Sequence, residues 1–334
     1  MVNIADVAKL AGVSTATVSR VINNNAPVAD ATRRRVDSAI DELGYESNNL
    51  GRNMRVKHLQ LVGLVVSDVE NPFFTSVTRG IEDQAHLAGF GTILCNSDEN
   101  VEKESQYLAT LRAERVPGVI VAPVGPRHRY LERYAGPGLG MVTIGRRVQG
   151  LKADLVATDN ALGGESAAAH LSVQHGYDSV GLVGGPPGLA SAEERSRAFL
   201  TTITQLGVQC SEEWIEAGDM REESGYESTS RILSASQVPR AVFVVNNLMT
   251  LGSLRAAREH GLKVPDDLAI IGFDDVPWAP YLDPPLTVIS QPTQEIGREA
   301  AKMLFDRLDD PARPAEERRL APTLLIRRSC GCGE

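Results

Sequence analysis

The sequence holds only four cysteines in 334 residues, and Cys95, Cys210, Cys330 and Cys332 lack the spacing of a disulfide framework. They are expected to be reduced thiols, buried or in the tail. No run of some 18 apolar residues occurs, which excludes a membrane-spanning helix. Met1-Val2-Asn3-Ile4-Ala5-Asp6 has neither a basic n-region nor an apolar h-region, so no secretory leader and a cytoplasmic location are expected. The parts of an enzyme are missing too. Gly184-Gly185-Pro186-Pro187-Gly188 lacks the Lys-Ser/Thr of a phosphate loop, and its prolines remove N–H donors that such a loop needs. There is no G-x-S-x-G elbow. The six histidines lie far apart. His170 and His175 have no evident third ligand, and Cys330-x-Cys332 reads as a frayed tail. No catalytic residue, metal or cofactor is therefore expected.

What is present is ordinary globular composition, 42% hydrophobic and 23% charged, in a chain long enough for two or three domains. The net charge of −9 is unevenly divided. Residues 1–58 hold eight Lys/Arg against six Asp/Glu, a net +2, whereas the rest holds 26 against 37, a net −11. A mildly basic head on an acidic body lets the head approach phosphate while the body is repelled.

In the head, Ile4, Val7, Ala8 and Ala11 recur at helical spacing, and Gly12-Val13 ends that helix. Ser14 stands as the N-cap of a second helix, whose apolar face is Val18, Val21 and Ile22. At about 100° per residue, Ala16 and Arg20 point away from that face, flanked by Thr15 and Ser19. A third helix, expected to be capped by Asp30, runs over Val36, Ile40 and Leu43 to Gly44. This is the helix-turn-helix plan, with residues 1–45 as the DNA-binding domain. Arg20 can grip guanine O6 and N7 bidentately, and Thr15 and Ala16 can meet base edges or thymine methyls. Ser14, Thr17 and the Arg33-Arg34-Arg35 run would hold phosphates. A plain three-helix bundle with a solvated basic face is the bland alternative.

Asn3-Ile4-Ala5-Asp6-Val7-Ala8-Lys9-Leu10-Ala11-Gly12-Val13-Ser14, then Thr17-Val18-Ser19-Arg20-Val21-Ile22-Asn23, resembles the signature of the lac repressor and purine repressor (LacI/GalR) family. The likeness continues through Thr32-Arg33-Arg34-Arg35-Val36 and Leu43-Gly44-Tyr45. It implies that Thr15, Ala16 and Arg20 read bases. Residues 46–58 are polar and basic, with Leu50 and Met54 as the main apolar pair. The resemblance makes them a hinge helix that folds when a dimer sits on its operator and wedges an apolar side chain into the minor groove. Met54 stands where the family has leucine and Gly51 where it has alanine. A glycine costs a helix interior roughly 1 kcal/mol, so a hinge that is harder to fold is expected.

Beyond the hinge, residues 59–334 alternate strand-like and helical runs. Leu61–Val66, Thr92–Cys95, Val119–Ala122, Val180–Val183, Ala241–Val245 and Leu268–Ile271 read as strands. Pro72–Ala88, Gln106–Arg115, Arg195–Leu206 and Leu248–His260 read as helices. This predicts an α/β body of two similar lobes with parallel sheets, and a ligand cleft at the strand C-termini. Ser67-Asp68, Asn96-Ser97-Asp98, Asn246-Asn247 and Phe273-Asp274-Asp275 sit at those ends and suit a hydroxyl-rich ligand; helix capping is the local alternative for each.

The family resemblance extends over this body and implies a periplasmic-binding-protein-like effector domain. It rests on Asp68 to Phe74, Asp159-Asn160 with Gly163-Gly164, Arg195, Asn246, Gly272 to Asp275, Pro284 to Thr287 and Gln291-Pro292. By that analogy Arg195, Asn246 and Asp274 grip the effector, with Arg146 and Gln291 behind them. Phe73 and Phe74 pack on its apolar face, and Asp159 and Met220 complete the set. Four departures stand out: Ala198 for a glycine, Asn247 for an aspartate, Gly145 for the aspartate of a D-R pair, and Met220 for an aromatic ring. The expectation is a cytoplasmic, nucleoid-associated homodimeric repressor on a near-palindromic operator, with no membrane partner and no heptad tail for a tetramer. Its effector is expected to be a sugar or sugar derivative acting as inducer by closing or twisting the lobes. A purine-like corepressor and, from another class, a carbohydrate-acting enzyme are the alternatives.

Overall fold

The computed structural model describes residues 2–23, 27–45, 61–124, 130–136, 138–148 and 150–333. Contacts divide the chain into two compact units, Met1–Leu59 and Gln60–Glu334. The expected hinge, with Leu50, Gly51 and Met54, lies outside the described residues.

Among the described residues, the head unit has three helices: α1 (Ile4–Ala11), α2 (Thr15–Asn23) and α3 (Asp30–Leu43). Helix α1 starts on a capping box. Asn3 Oδ1 accepts from the N–H groups of Ala5 and Asp6, and Asp6 Oδ2 accepts from the N–H of Asn3. Gly12 at φ 65° ends α1 in the left-handed region. Ser14 Oγ then accepts from the N–H of Thr17 at 3.2 Å, opening α2 as the sequence indicated. Asp30 does not cap α3. It is the first residue of the helix, and Ala29 at the cap position makes no side-chain bond. The Asp30 carboxylate instead sits in the first turn, where the helix dipole favours negative charge. Val7, Ala8, Ala11, Val18, Val21, Val36 and Ala39 close a small core between the helices.

The second unit contains two six-stranded sheets. The first has the order β11-β5-β4-β3-β1-β2, formed by β1 (Leu61–Val66), β2 (Gly91–Asn96), β3 (Gly118–Val121), β4 (Gly140–Ile144), β5 (Asp154–Thr158) and β11 (Glu317–Leu320). The second has the order β12-β10-β9-β8-β6-β7, formed by β6 (Val180–Gly184), β7 (Ile215–Ala217), β8 (Ala241–Val244), β9 (Ala269–Phe273), β10 (Thr287–Ser290) and β12 (Thr323–Leu325). Among the described residues, these strands pair in parallel except β10 with β12. Central strands such as β3 and β8 are buried along their whole length, which is why they read as unbroken apolar runs.

Helices cover both sheets: α4 (Pro72–Leu87), α5 (Val101–Ala113), α6 (Asn160–Ala169), α7 (Ala190–Gln205), α8 (Glu222–Leu233), α9 (Asn247–Glu259) and α10 (Thr293–Asp309). Two start earlier than their apolar periodicity suggests. Helix α5 begins at Val101 because Asn100 caps it, accepting from the N–H of Lys103 at 2.8 Å. Helix α7 begins at Ala190, so Arg195 lies inside a helix rather than at its entrance.

The lobes are not two consecutive halves of the chain. After β5 the chain leaves the first sheet, and α6 packs on α7, β10 and β12. After β10 it returns, and α10 packs on α4 and on β3 to β5. It then adds β11 to the edge of the first sheet and β12 to the edge of the second. The buried Asp154 carboxylate holds the returning segment, accepting from Arg307 at 2.6 and 3.0 Å, from Arg313 at 3.2 Å and from the Glu316 N–H at 2.8 Å. Burial pushes this carboxyl up, but the hydrogen bonds and charges of these partners outweigh it and hold the group below its ordinary value. The tail does not fray either: Cys330 is fully buried, and Ser329 Oγ donates to the carbonyl of Ile270.

Glu104 on α5 is a buried acid inside the first lobe. Its Oε2 accepts from the Val124 N–H at 2.9 Å, and its other oxygen accepts from the Tyr130 hydroxyl. Burial raises its pKa from 4.5 to about 7, the two hydrogen bonds opposing only in part. A raised carboxyl stabilises the fold fully below about pH 4.5, and the contribution is lost as pH climbs through about 7. Over that interval the loss reaches about 3 kcal/mol. Glu104→Gln is expected to flatten the fall in urea stability between pH 4.5 and 8; an unchanged slope would show that Glu104 is not its source.

Candidate functional site

A cavity of about 710 Å³ of empty space, including its open mouth, lies in the cleft between the two lobes. Every strand-end segment that contributes to it leaves its sheet at the C-terminal side. From the first lobe come Asp68 after β1, Phe73 and Phe74 at the start of α4, Glu99 after β2 and Arg146 after β4. From the second come Arg195 on α7, Met220 after β7, Asn246 after β8 and Asp274 after β9, with Gln291 after β10 at the crossing point. Asn71 caps α4 through the Phe73 N–H and accepts from Asn247 Nδ2 of the other lobe at 3.0 Å. Asp98 and Arg221 face each other across the mouth at 3.7 Å.

Arg195 is the central cation. It is 5% exposed, its Nε donates to Asn160 Oδ1 at 2.8 Å and its Nη1 to the Val245 carbonyl at 2.7 Å. Its guanidinium lies 3.6 Å from the ring centroid of Phe273, a cation–π contact that fixes its plane. Burial lowers its pKa to about 10, partly countered by Asp274, so it remains charged at neutral pH. Asp274 is also buried, accepts from Gln291 Nε2 and from the Asn247 N–H, and has its pKa raised by burial against the pull of Arg195. Gln291 in turn accepts from the Thr158 hydroxyl, which makes a hydrogen-bonded chain from the first crossing segment to Asp274.

The helix pair beneath Arg195 packs closely. A Cβ on Gly164 of α6 would lie 2.3 Å from the Arg195 carbonyl oxygen and 3.2 Å from Ala198 Cβ. Gly164→Ala is therefore expected to push α6 off α7 and to destabilise the fold by roughly 1–3 kcal/mol, read as a lowered denaturant midpoint. Stability equal to the parent would mean that the two helices separate at no cost.

Several expected residues have other partners. Arg146 is held by Glu99, with Nη1 to Oε2 at 2.9 Å and Nη2 to Oε1 at 2.5 Å, and also donates to the Pro123 carbonyl. Burial raises the Glu99 carboxyl, and the hydrogen bonds and charge of Arg146 more than offset this, holding the group below its ordinary value. Asn246 uses Oδ1 to cap α9 through the Met249 N–H and Nδ2 to hold the Met220 carbonyl, so local capping accounts for much of its side chain. Asp159 does not line the cavity. It caps α6 by accepting from the Leu162 N–H at 3.1 Å, and its neighbour Asn160 is the residue that touches Arg195. Asp275 turns away to a bidentate pair with Arg327. Phe74 is mainly core, packed edge-on at 82° to Phe73, whose ring is the half-buried one at the cavity.

Glu99, Ser191, Asp219 and Arg221 also line the cavity and were not singled out in the sequence. The signal for Glu99 is backbone geometry, since Asp98 and Glu99 both have positive φ, 56° and 51°. Positive φ in two successive non-glycine residues marks a segment bent for a purpose, and no sequence pattern reports it.

In the head, Thr15, Ala16 and Arg20 are exposed on α2, opposite the buried Val18 and Val21. Ser14 and Thr17 share a hydrogen bond at 3.0 Å beside the start of that helix, while Ser19 and Arg33 are half-buried. Arg20→Ala is expected to cost about 1–3 kcal/mol in operator binding and to relax preference at one base pair per half-site. A loss uniform over all sequences, in a binding assay at fixed salt, would make Arg20 a phosphate contact instead.

A helix-turn-helix head joined to a two-lobed body with a polar cleft defines a ligand-responsive DNA-binding regulator. Residues 3–48 match the bacterial regulatory proteins of the lacI family, and residues 168–330 match a periplasmic binding protein-like domain. The HTH-type transcriptional repressor PurR of Edwardsiella ictaluri (strain 93-146) is 38% identical, over 100% of this chain and 98% of that protein. The complex of the transcriptional regulator CelR with cellobiose has 30% identity and a TM-score of 0.74, covering 98% of this chain and 100% of that one. The lac repressor dimer bound to operator and the anti-inducer ONPF has 26% identity and a TM-score of 0.87, covering 98% of this chain and 99% of that one. The chain belongs to the LacI family of bacterial regulatory proteins. It is a DNA-binding transcriptional repressor whose operator affinity is set by a small-molecule effector, and not an enzyme. Such a regulator acts in the cytoplasm, where the DNA is.

Proposed function

We propose that the effector is a sugar or sugar derivative whose binding releases the operator. The observation that carries this reading is the pairing of Arg195 and Asp274. Both are buried at the cavity and attract each other, yet no ion pair joins them among the described residues. A donor and an acceptor held apart in this way match a hydroxyl group, which donates and accepts at once. Phe73 offers its ring to an apolar sugar face, and Asp68, Asp219 and Arg221 add polar groups for further hydroxyls. The cellobiose complex of a structural neighbour supports the same ligand class.

The working unit in this reading is a homodimer, one head per half-site of a near-palindromic operator, associated with the nucleoid. Arg33 and Met54 act at the phosphates and in the minor groove. The sugar acts by linkage: it shifts the protein only by its different affinity for the DNA-bound and free conformations.

A purine-type corepressor is the second reading, favoured by the relatives named PurR. A flat base could stack on Phe73, but the opposing position is Met220, which supplies no ring. Calorimetric titration with mono- and disaccharides and with purine bases, followed by operator binding with each, separates the two. A sugar that binds and weakens operator affinity is the expected result. A purine that binds and strengthens it would replace the sugar reading. Asp274→Asn is expected to weaken sugar binding roughly 10–100-fold, the equivalent of about 1.5–3 kcal/mol for hydrogen bonds to a charged group.

A further inference from the structure

Two pairs of residues that lie 155 or more positions apart meet on the second lobe, away from the cleft. Helix α6 does not end as an α-helix. It passes into a π-helical turn, His170–Gln174, in which the His175 N–H reaches the His170 carbonyl. Residues five apart on a π turn share a face, so the two imidazoles come together, with Nε2 atoms 3.3 Å apart. The C-terminal segment brings Cys330 and Cys332 to the same point. Cys330 Sγ is 3.3 Å from His170 Nε2, and Cys332 Sγ is 3.3 Å from His175 Nε2 and 3.8 Å from His170 Nε2. All four ligand atoms lie within 4.8 Å of one another.

We propose that His170, His175, Cys330 and Cys332 form a structural zinc site that clamps the C-terminal segment to the second lobe. Zinc bound tetrahedrally at about 2.3 Å to sulfur and about 2.05 Å to nitrogen requires ligand separations of about 3.3 Å for N–N and about 3.6 Å for S–N. The N–N separation of 3.3 Å and the S–N separations of 3.3, 3.3 and 3.8 Å fall around those values. Two thiolates and two imidazoles are a soft and borderline donor set, which selects zinc over magnesium or calcium. Four protein ligands close the coordination sphere, the mark of a structural rather than a catalytic centre.

The surroundings orient these ligands. The His175 ring stacks on Tyr177 at 5.2 Å and 7°, and the Tyr177 hydroxyl donates to the Cys330 carbonyl at 3.0 Å. The Thr287 hydroxyl donates to Cys330 Sγ at 3.1 Å, a bond that strengthens toward a thiolate. Gly331 between the cysteines has φ 97°, and a Cβ there would lie 2.5 Å from the Tyr177 hydroxyl oxygen. Only glycine lets both sulfurs turn to the same side beneath that ring. The clamp joins the segment that follows the last crossing, at β12, to the helix that follows the first, at α6. It thus ties two crossings on the second-lobe side without touching the ligand cavity.

The test uses the full-length chain, untagged, reduced and stripped with chelator, then titrated with Zn²⁺ or Co²⁺. The expected result is about one metal per chain, with cobalt giving tetrahedral ligand-field bands and a thiolate charge-transfer band. Zinc is also expected to raise the melting temperature, because it binds only the folded arrangement. Cys332→Ser, at the half-buried end of the tail, should fold by circular dichroism yet bind cobalt more than about 100-fold more weakly, since even outer partners of such sites contribute 10–100-fold. His175→Asn should do the same, while Cys95→Ser and Cys210→Ser should bind as the parent does. Octahedral cobalt without thiolate bands, substoichiometric uptake, or parental affinity in Cys332→Ser would each overturn the proposal.

Discussion

The structure depends on one topological constraint: a single chain passes between two sheets three times. The first sheet is completed by β11, which follows the returning helix α10, and the second by β12, which arrives from the first lobe. The lobes therefore cannot separate, and relative rotation about the three passages is the motion left to them. Thr158, Gln291 and Asp274 run as one buried hydrogen-bonded chain across two of these passages. In the reading proposed above, a ligand that takes hold of Asp274 pulls on these crossing segments. Under that proposal, occupancy of the cleft would change lobe geometry by this route and, by linkage, operator affinity.

Charge in the cleft is arranged by the same economy. Two buried arginines lie at the cavity, but Arg146 is neutralised by a bidentate glutamate from its own lobe, whereas Arg195 is held by neutral acceptors and an aromatic face. Arg195 thus keeps its electrostatic reach toward Asp274 and toward any ligand between them. The departures from the family pattern fit this picture. Gly145 occupies φ 71°, where an L side chain is strained. Asn247 makes a neutral hydrogen bond across the cleft to Asn71, and a carboxylate there would add charge beside the already buried Asp274.

Much of this was legible because the governing physics is local. Gly12, Ser14 and Gly44 mark the helix ends in the head, and Leu61–Val66 is a strand with the bounds its apolar run suggests. Where local rules compete, reading faltered. Asp30 offered a cap and became a first-turn residue, and Asp159 offered a ligand contact and became a cap. An aspartate at a helix start serves either purpose, and only the neighbouring backbone decides. The starts of α5 and α7 were missed because their first turns are polar or small and lack an apolar stripe.

By itself the sequence determined the class of each segment: a three-helix head, alternating strands and helices, and the family to which the chain belongs. Those features follow from periodicities of two or 3.6 residues and from caps that act over three or four positions. The tertiary structure alone decided that α10 and β11 return to the first lobe, that Arg146 pairs with Glu99, and that the tail cysteines meet His170 and His175. These contacts join residues 47 to 217 positions apart. Their partners are chosen by topology and packing, and no short-range pattern in the chain encodes which distant residue will arrive.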